Sequence, residues 1–334
     1  MGLTTGAVEL VEVWRGDLVE CVHLGHVVVA GADGGIVQAW GDPDAVIYPR
    51  SAFKMIQALP LIESGAADAA GLRADQLALA CASHQAAAVH TDKVQDWLAT
   101  LGLSDDDLRC GAQVPGDRPA RDLLIKTDQS PCQYHNNCSG KHSGFLTLTR
   151  HLRGGPEYVE IDHPVQKAVL AAFEDVTGQT SPGHGIDGCS APSHATTVHG
   201  LARAMAAFAT AQDRSGLRAH AQQRLVAAMT AHPELVSGQA EPCTDLMRAT
   251  GGRVAIKGGA DGAYVAILPE RRLGVALKII DGSDRAKVAA IAAVLIRLGV
   301  LDPAHPVARR LVGQPMRNFR GLTVGSVRAA AALA

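Results

Sequence analysis

The stretch 262-GAYVAILPERRLGVALKII-280 decides the fold. Two apolar runs flank a turn at Pro269-Glu270-Arg271, the pattern of an antiparallel hairpin. It comes late in the chain, after a long region whose periodicity is helical. Working outward, 253-RVAIK-257 reads as a further strand before it and 319-FRGLTVGSVR-328 as one after it. The helical pattern 283-SDRAKVAAIAAVLIRLG-299 lies between the last two. The first fifty residues alternate and turn in the same way: VELVEVW, then Arg15-Gly16-Asp17, then LVECVHL, then HVVVAGADGGIVQAW with a hairpin at Asp33-Gly34-Gly35. Between them, from about 51 to 251, helical signals dominate, including 93-KVQDWLATLG-102, 164-PVQKAVLAAFEDVTG-178, 196-TTVHGLARAMAAFAT-210 and 217-LRAHAQQRLVAAMTA-231. Strands at both ends around a helical middle predict an α+β fold, one antiparallel sheet assembled from both termini and flanked by helices. With no internal repeat or linker, residues 1–334 are expected to form a single domain, and 328-RAAAALA-334 to fray as a tail.

Composition limits what such a fold acts on. Across 334 residues 47% are apolar and 19% charged, and the net charge is -2. That balance offers no basic field for nucleic acid, so a small molecule is the expected partner. No run is long and apolar enough to span a bilayer, since 286-AKVAAIAAVLIRLGVL-301 is short and flanked by charge. The N-terminus has no basic start followed by an apolar run and a cleavage site, so no export is expected. Seven irregularly spaced cysteines fit a reduced cytoplasmic protein better than a disulfide framework.

Chemistry concentrates in five short segments. In 49-PRSAFKMIQALP-60 a helix read from Ser51 places Lys54 one turn on, in a surround of Ala52, Phe53, Met55, Ile56, Ala58 and Leu59. A lysine there is desolvated, and desolvation favours the neutral amine that a Ser-Lys nucleophile needs. The plain alternative is a chance Ser-x-x-Lys whose lysine snorkels outward. At 81-CASH-84, Ser83 and His84 are neighbours that do not readily face one site, so His84 reads as structural. The segment 135-HNNCSGKHSGFL-146 crowds Cys138, Lys141 and His142 at a loop-to-helix transition, a weak zinc signal or a core cysteine beside a surface lysine. The loop 181-SPGHGIDGCSAPSH-194 supplies Asp187 and Cys189, and reads as a binding loop or a connection. Finally, 257-KGGADG-262 sets a lysine at a strand end before glycines that admit close backbone approach.

Taken in order, VEVWRGDLVE, GDPDAVIYPRSAFKMIQALPLIESGAAD, LACASH, HNNCSGKHSGFL, IDGCSAP, AIKGGADG and RNFRGLTVG span nearly the whole chain. Together they make it resemble the bacterial asparaginase II family, the Rhizobium-type thermolabile L-asparaginases. The resemblance implies a fold similar to serine β-lactamases and serine-dependent glutaminases, and hydrolysis of L-asparagine through an acyl-enzyme. It implies two catalytic pairs converging on one pocket, Ser51 with Lys54 and Ser83 with Lys257; a neutral Lys54 is expected to activate Ser51 and Ser83 to relay protons, with the acylated serine left open between the two. Arg50 is expected to shape the site, Asp187 to hold the substrate's ammonium, and His142 to join them at the substrate. One zinc ion per chain is expected at Cys138, Lys141 and Cys189, and a homodimer as the assembly. The chain departs from the family's usual pattern at Gln85-Ala86-Ala87, at Ser190 and at Asp261, which affects loop shape and affinity more than the reacting groups.

Overall fold

The computed structural model describes residues 2–333. Its main sheet has eight strands: β1 (Val8–Arg15), β2 (Leu18–Ala30), β3 (Ile36–Trp40) and, after the short β4 (Val46–Ile47), β5 (His184–Ile186), β6 (Pro192–His194) and β7 (Thr196–Thr197), the strands β8 (Ala255–Gly258), β9 (Ala263–Leu268), β10 (Leu273–Ile279), β11 (Gln314–Arg317) and β12 (Thr323–Ala329). Their order is β11-β12-β1-β2-β10-β9-β8, with β3 also paired to β2, and every pairing is antiparallel. The architecture is therefore α+β. The register Val28↔Ala276 joins the N-terminal strands to the C-terminal hairpin at the centre of the sheet.

Burial explains why the hairpin 262–280 forms as it reads. All of Ala263–Leu268 and Gly274–Ile279 is buried, so these strands are apolar without alternation. The helix Val198–Ala209 packs against β2, β9 and β10, while Asp284–Arg297 packs against β1, β9, β10 and β12. Their small residues, Ala202, Ala206, Ala289 and Ala293 among them, are buried in one continuous core. The middle of the chain supplies the remaining helical layer, including Ala88–Thr100, Pro164–Thr177 and Leu217–Ala231.

Four details differ from the sequence reading. LVECVHL and HVVVA form one strand, because Gly25 lies against Lys278 O, where a Cβ would come within 2.4 Å; this glycine marks a close crossing and not a break. The segment read as one strand over 319–328 is a turn followed by β12, with β11 before it. The tail does not fray through residue 333: Ala330 and Leu333 are buried and Trp40 Nε1 donates to Ala332 O at 2.7 Å. The helix expected from Ser51 starts as a 3₁₀ turn, Arg50–Phe53, followed by two short helical pieces, Lys54–Gln57 and Leu59–Glu63.

The helix Ser139–Leu152, which carries Lys141 and His142, ends on Arg153 in the left-handed region with φ 55°. An L residue there is strained by about 1–2 kcal/mol, and glycine is the residue this cap favours. Arg153 is exposed. Arg153→Gly is therefore expected to raise stability by about 0.5–1 kcal/mol, read from the urea unfolding midpoint; a lower midpoint would show that the side chain contributes more than the strain costs.

Candidate active site

Three separate parts of the fold converge on the hydroxyl of Ser83. The 3₁₀ turn at Arg50–Phe53 packs against β8 and β9. This is possible because Gly259 has no side chain: a Cβ there would lie 2.5 Å from Pro49 O and 3.0 Å from Ala52 N. Ser83 follows the helix Ala74–Ala80 and is fixed by its N–H, which donates to Val236 O at 2.9 Å. Lys257 stands on the edge strand β8.

Both lysines reach the same oxygen. Lys54 Nζ donates to Ser83 Oγ at 2.9 Å, and Lys257 Nζ lies 2.9 Å from it. Lys54 is 1% exposed and Lys257 2%. Lys54 also donates to Ala82 O and, at 3.0 Å, to Cys138 Sγ. The expected pairing is thus altered: Lys54 makes no hydrogen bond to Ser51, whose hydroxyl has no side-chain partner among the described residues, and Ser83 takes both amines. The physical reason is competition for the ammonium, whose three donors go to Ala82 O, Ser83 Oγ and Cys138 Sγ and leave none for Ser51. Burial first, and the neighbouring Lys54 second, pull Lys257 down to about 7.

His84 is buried, accepts from Ala86 N at 3.1 Å through Nδ1, and therefore donates through Nε2 to Ser139 Oγ at 2.9 Å. It fixes the loop and does not face the cleft. Arg50, at φ 52°, donates through Nε and Nη2 to Asp187 Oδ1 at 2.9 and 2.8 Å and pairs with Asp261 through Nη1. Asp187 therefore already carries a cation.

Next to Lys54 lies the second cluster. Lys141 Nζ donates to Cys189 Sγ at 3.0 Å. A hydrogen bond joins the Cys138 and Cys189 sulfurs: donated by Cys138 and helped by Lys141 and His142, it holds the Cys189 thiol well below its usual range, and Cys138 is held well above. Burial disfavours charge on Lys141, but the two sulfurs outweigh it and keep the ammonium. His142 is buried, with Nδ1 2.8 Å from Tyr158 Oη and Nε2 without a hydrogen-bond partner. Among the described residues no group of three His, Cys, Asp or Glu is arranged to hold an ion, so a metal here would take a lysine as its third donor. Two thiols and, once it loses its proton, the Lys141 amine are nonetheless of the type that suits zinc.

The cleft itself measures about 370 Å³ and is lined by Ser51, Ser83 and Lys257 among others. Sequence reasoning missed its other lining residues, notably Glu241, Cys243, Tyr264 and Lys287. They come from three elements with no common spacing, and only the Glu241-Pro242 helix start gave any local signal. Lys54, Arg50, Asp187 and His142 are not among the lining residues.

The sequence profile described as L-asparaginase II matches residues 11–329. The chain belongs to the L-asparaginase II family. Membership places it among hydrolases. No curated protein sequence matches the chain. Among solved structures, Mglu in its glutamate form is similar over 83% of this chain and 61% of that one, at 14% identity and a TM-score of 0.47. A β-lactamase from Mycobacterium bovis is similar over 82% and 94%, at 14% identity and a TM-score of 0.43. The chain thus spans about three-fifths of the Mglu chain it matches. Among the described residues no helix is long and apolar enough to cross a membrane, and every cysteine is free.

The Arg50 pair generates one expectation. Asp187→Asn leaves the partly buried guanidinium with only the exposed Asp261, and should cost about 1.5–3 kcal/mol in urea unfolding. A loss below 0.5 kcal/mol, on the order of an exposed pair, would show that Asp187 does not hold the turn.

Proposed function

We propose that this asparaginase-family chain is an amidohydrolase that cleaves L-asparagine to L-aspartate and ammonia through an acyl-enzyme. The observation that supports it is Ser83 Oγ at 2.9 Å from two buried amines, one of them pulled down to about 7. A lysine with that affinity is largely neutral slightly above neutral pH and accepts a proton as a general base. Lys257 takes the proton of Ser83, and Ser83 takes that of Ser51. A hydroxyl already holding two amines is placed to pass a proton, while the unbonded hydroxyl of Ser51 in the same cleft is placed to attack.

The Ser51 oxygen adds to the side-chain amide carbon, and N–H groups at the start of the Arg50–Phe53 turn, which lack intrahelical partners, receive the oxyanion. The proton returns from Lys257 through Ser83 to the leaving nitrogen, ammonia departs, and water cleaves the ester along the same path. Lys54 steadies the negative charge on Ser83 as its proton leaves. Arg50 and Asp187 act by holding the turn beneath Ser51, and His142 by backing the sulfur cluster. Cys138, Lys141 and Cys189 would hold one zinc ion per chain, which when bound supplies a Lewis-acidic, orienting charge beside Lys54. The same reading makes residues 1–334 one catalytic domain, working as a cytoplasmic homodimer on a small molecule.

Ammonia release from L-asparagine is expected to exceed that from L-glutamine at least tenfold, a ratio that discrimination of one methylene by about 1–3 kcal/mol permits. The rate should rise with pH through about 7, because below that value Lys257 is an ammonium and cannot accept a proton. Equal rates on both amides point to a broader amidase, and a rate flat from pH 5 to 9 removes Lys257 as the base.

Metal analysis should find about one zinc per chain, and Cys189→Ser should lower its occupancy. A metal-free protein with full asparagine affinity would leave the cluster as a thiolate–ammonium pair and nothing more.

A further inference from the structure

The cleft has a second, charged wall that the Ser-Lys chemistry does not use. Glu241 opens the helix Pro242–Ala249, is half-buried, and accepts a hydrogen bond from Gln85 Nε2. Among the described residues it has no ion-pair partner. Burial raises its proton affinity, the Gln85 bond lowers it, and Asp245 and Asp284 raise it further. A cation arriving there would relieve both effects. The other carboxylates near the site are already engaged: Asp187 by Arg50, and Asp284, largely exposed, by Lys287. Lys287 lines the same cleft, donates to Gly259 O at 2.7 Å, and is close enough to act on the ionisation of Glu241.

The loops that carry Gln85 and Glu241 are strained at the point where they meet. Ala86 has φ 61° and Ala240 has φ 60°, each next to one partner of the Gln85–Glu241 bond. Left-handed alanines cost about 1–2 kcal/mol apiece, and such strain persists where surrounding structure demands it, often at ligand sites. The cleft's volume of about 370 Å³ lies near the low end of the roughly 300–1,000 Å³ common for ligand pockets, so a small ligand touches both walls.

We propose that Glu241 holds the α-ammonium of the amino-acid substrate and Lys287 its α-carboxylate, which directs the side-chain amide to Ser51 and Ser83. This rests on the amidase reading and assigns to Glu241 the role that sequence alone suggested for Asp187. A zwitterion matches a carboxylate and an ammonium on one wall, whereas an amide lacking either charge matches half of it.

The test compares L-asparagine with succinamate, which lacks the ammonium, and 3-aminopropanamide, which lacks the carboxylate. Glu241→Gln should lower kcat/KM for L-asparagine, mainly through KM, at least tenfold more than for succinamate, and Lys287→Met should do so relative to 3-aminopropanamide. Calorimetric titration with L-aspartate gives a reading independent of turnover: Glu241→Gln should bind at least tenfold more weakly than wild type, and Glu241→Asp, which keeps the charge, should recover part of that loss. Equal losses on all amides, or unchanged L-aspartate affinity, overturns the assignment. Glu241-dependent L-aspartate binding by a wild-type protein that releases no ammonia would uphold it while removing the amidase reading, and a wild type that binds no L-aspartate removes the assignment.

Discussion

Two buried amines share one hydroxyl. Lys54 and Lys257 both lie 2.9 Å from Ser83 Oγ, in surroundings where a single ammonium is costly and two are more so. The fold has to hold them together, because each comes from a different part of the chain: a turn after the N-terminal strands, and the edge strand β8 that pairs with the C-terminal hairpin. The sheet that unites the two termini is what makes the pair possible. Burial first, and the neighbouring Lys54 second, pull Lys257 down to about 7.

Lys54 also ties this centre to the sulfur cluster through Cys138 at 3.0 Å. Ser83, Lys54, Cys138, Cys189 and Lys141 therefore form one chain of polar contacts running from the cleft into the core, with the last three enclosed by the helix Ser139–Leu152 and the loop before β6. A change in charge at the sulfurs is felt by the lysine that donates to Ser83. The cleft's far wall is independent of this chain, since Glu241 is held by Gln85 and Lys287 by Gly259.

The α+β layout was legible because burial wrote itself into sequence: two apolar runs flank the turn in 262–280, and the helices Pro164–Thr177 and Val198–Ala209 each carry one apolar face. Gly25 misled, because a glycine admitting a close crossing looks the same in sequence as one that breaks a strand. At the site, Ser51, Lys54, Ser83 and Lys257 were each visible as polar residues set in apolar or glycine-rich segments. Their pairing was not, since the partners that take Lys54 from Ser51, at Ala82, Ser83 and Cys138, lie far away in the chain and meet it only in the fold. Glu241 and Lys287 look like ordinary surface charges in sequence, and only the convergence of their two helices on the cleft sets them apart.

Proton transfer from Ser83 requires Lys257 to be a neutral amine at working pH. The chain has eight lysines, few enough for side-chain carbon NMR of lysine-labelled protein, with Lys257→Arg identifying the signal of interest. The account predicts that this one signal titrates near 7. A Lys257 signal that titrates at or above the ordinary lysine value of about 10.4 would contradict it, because a permanently charged Lys257 has no capacity to accept the proton of Ser83.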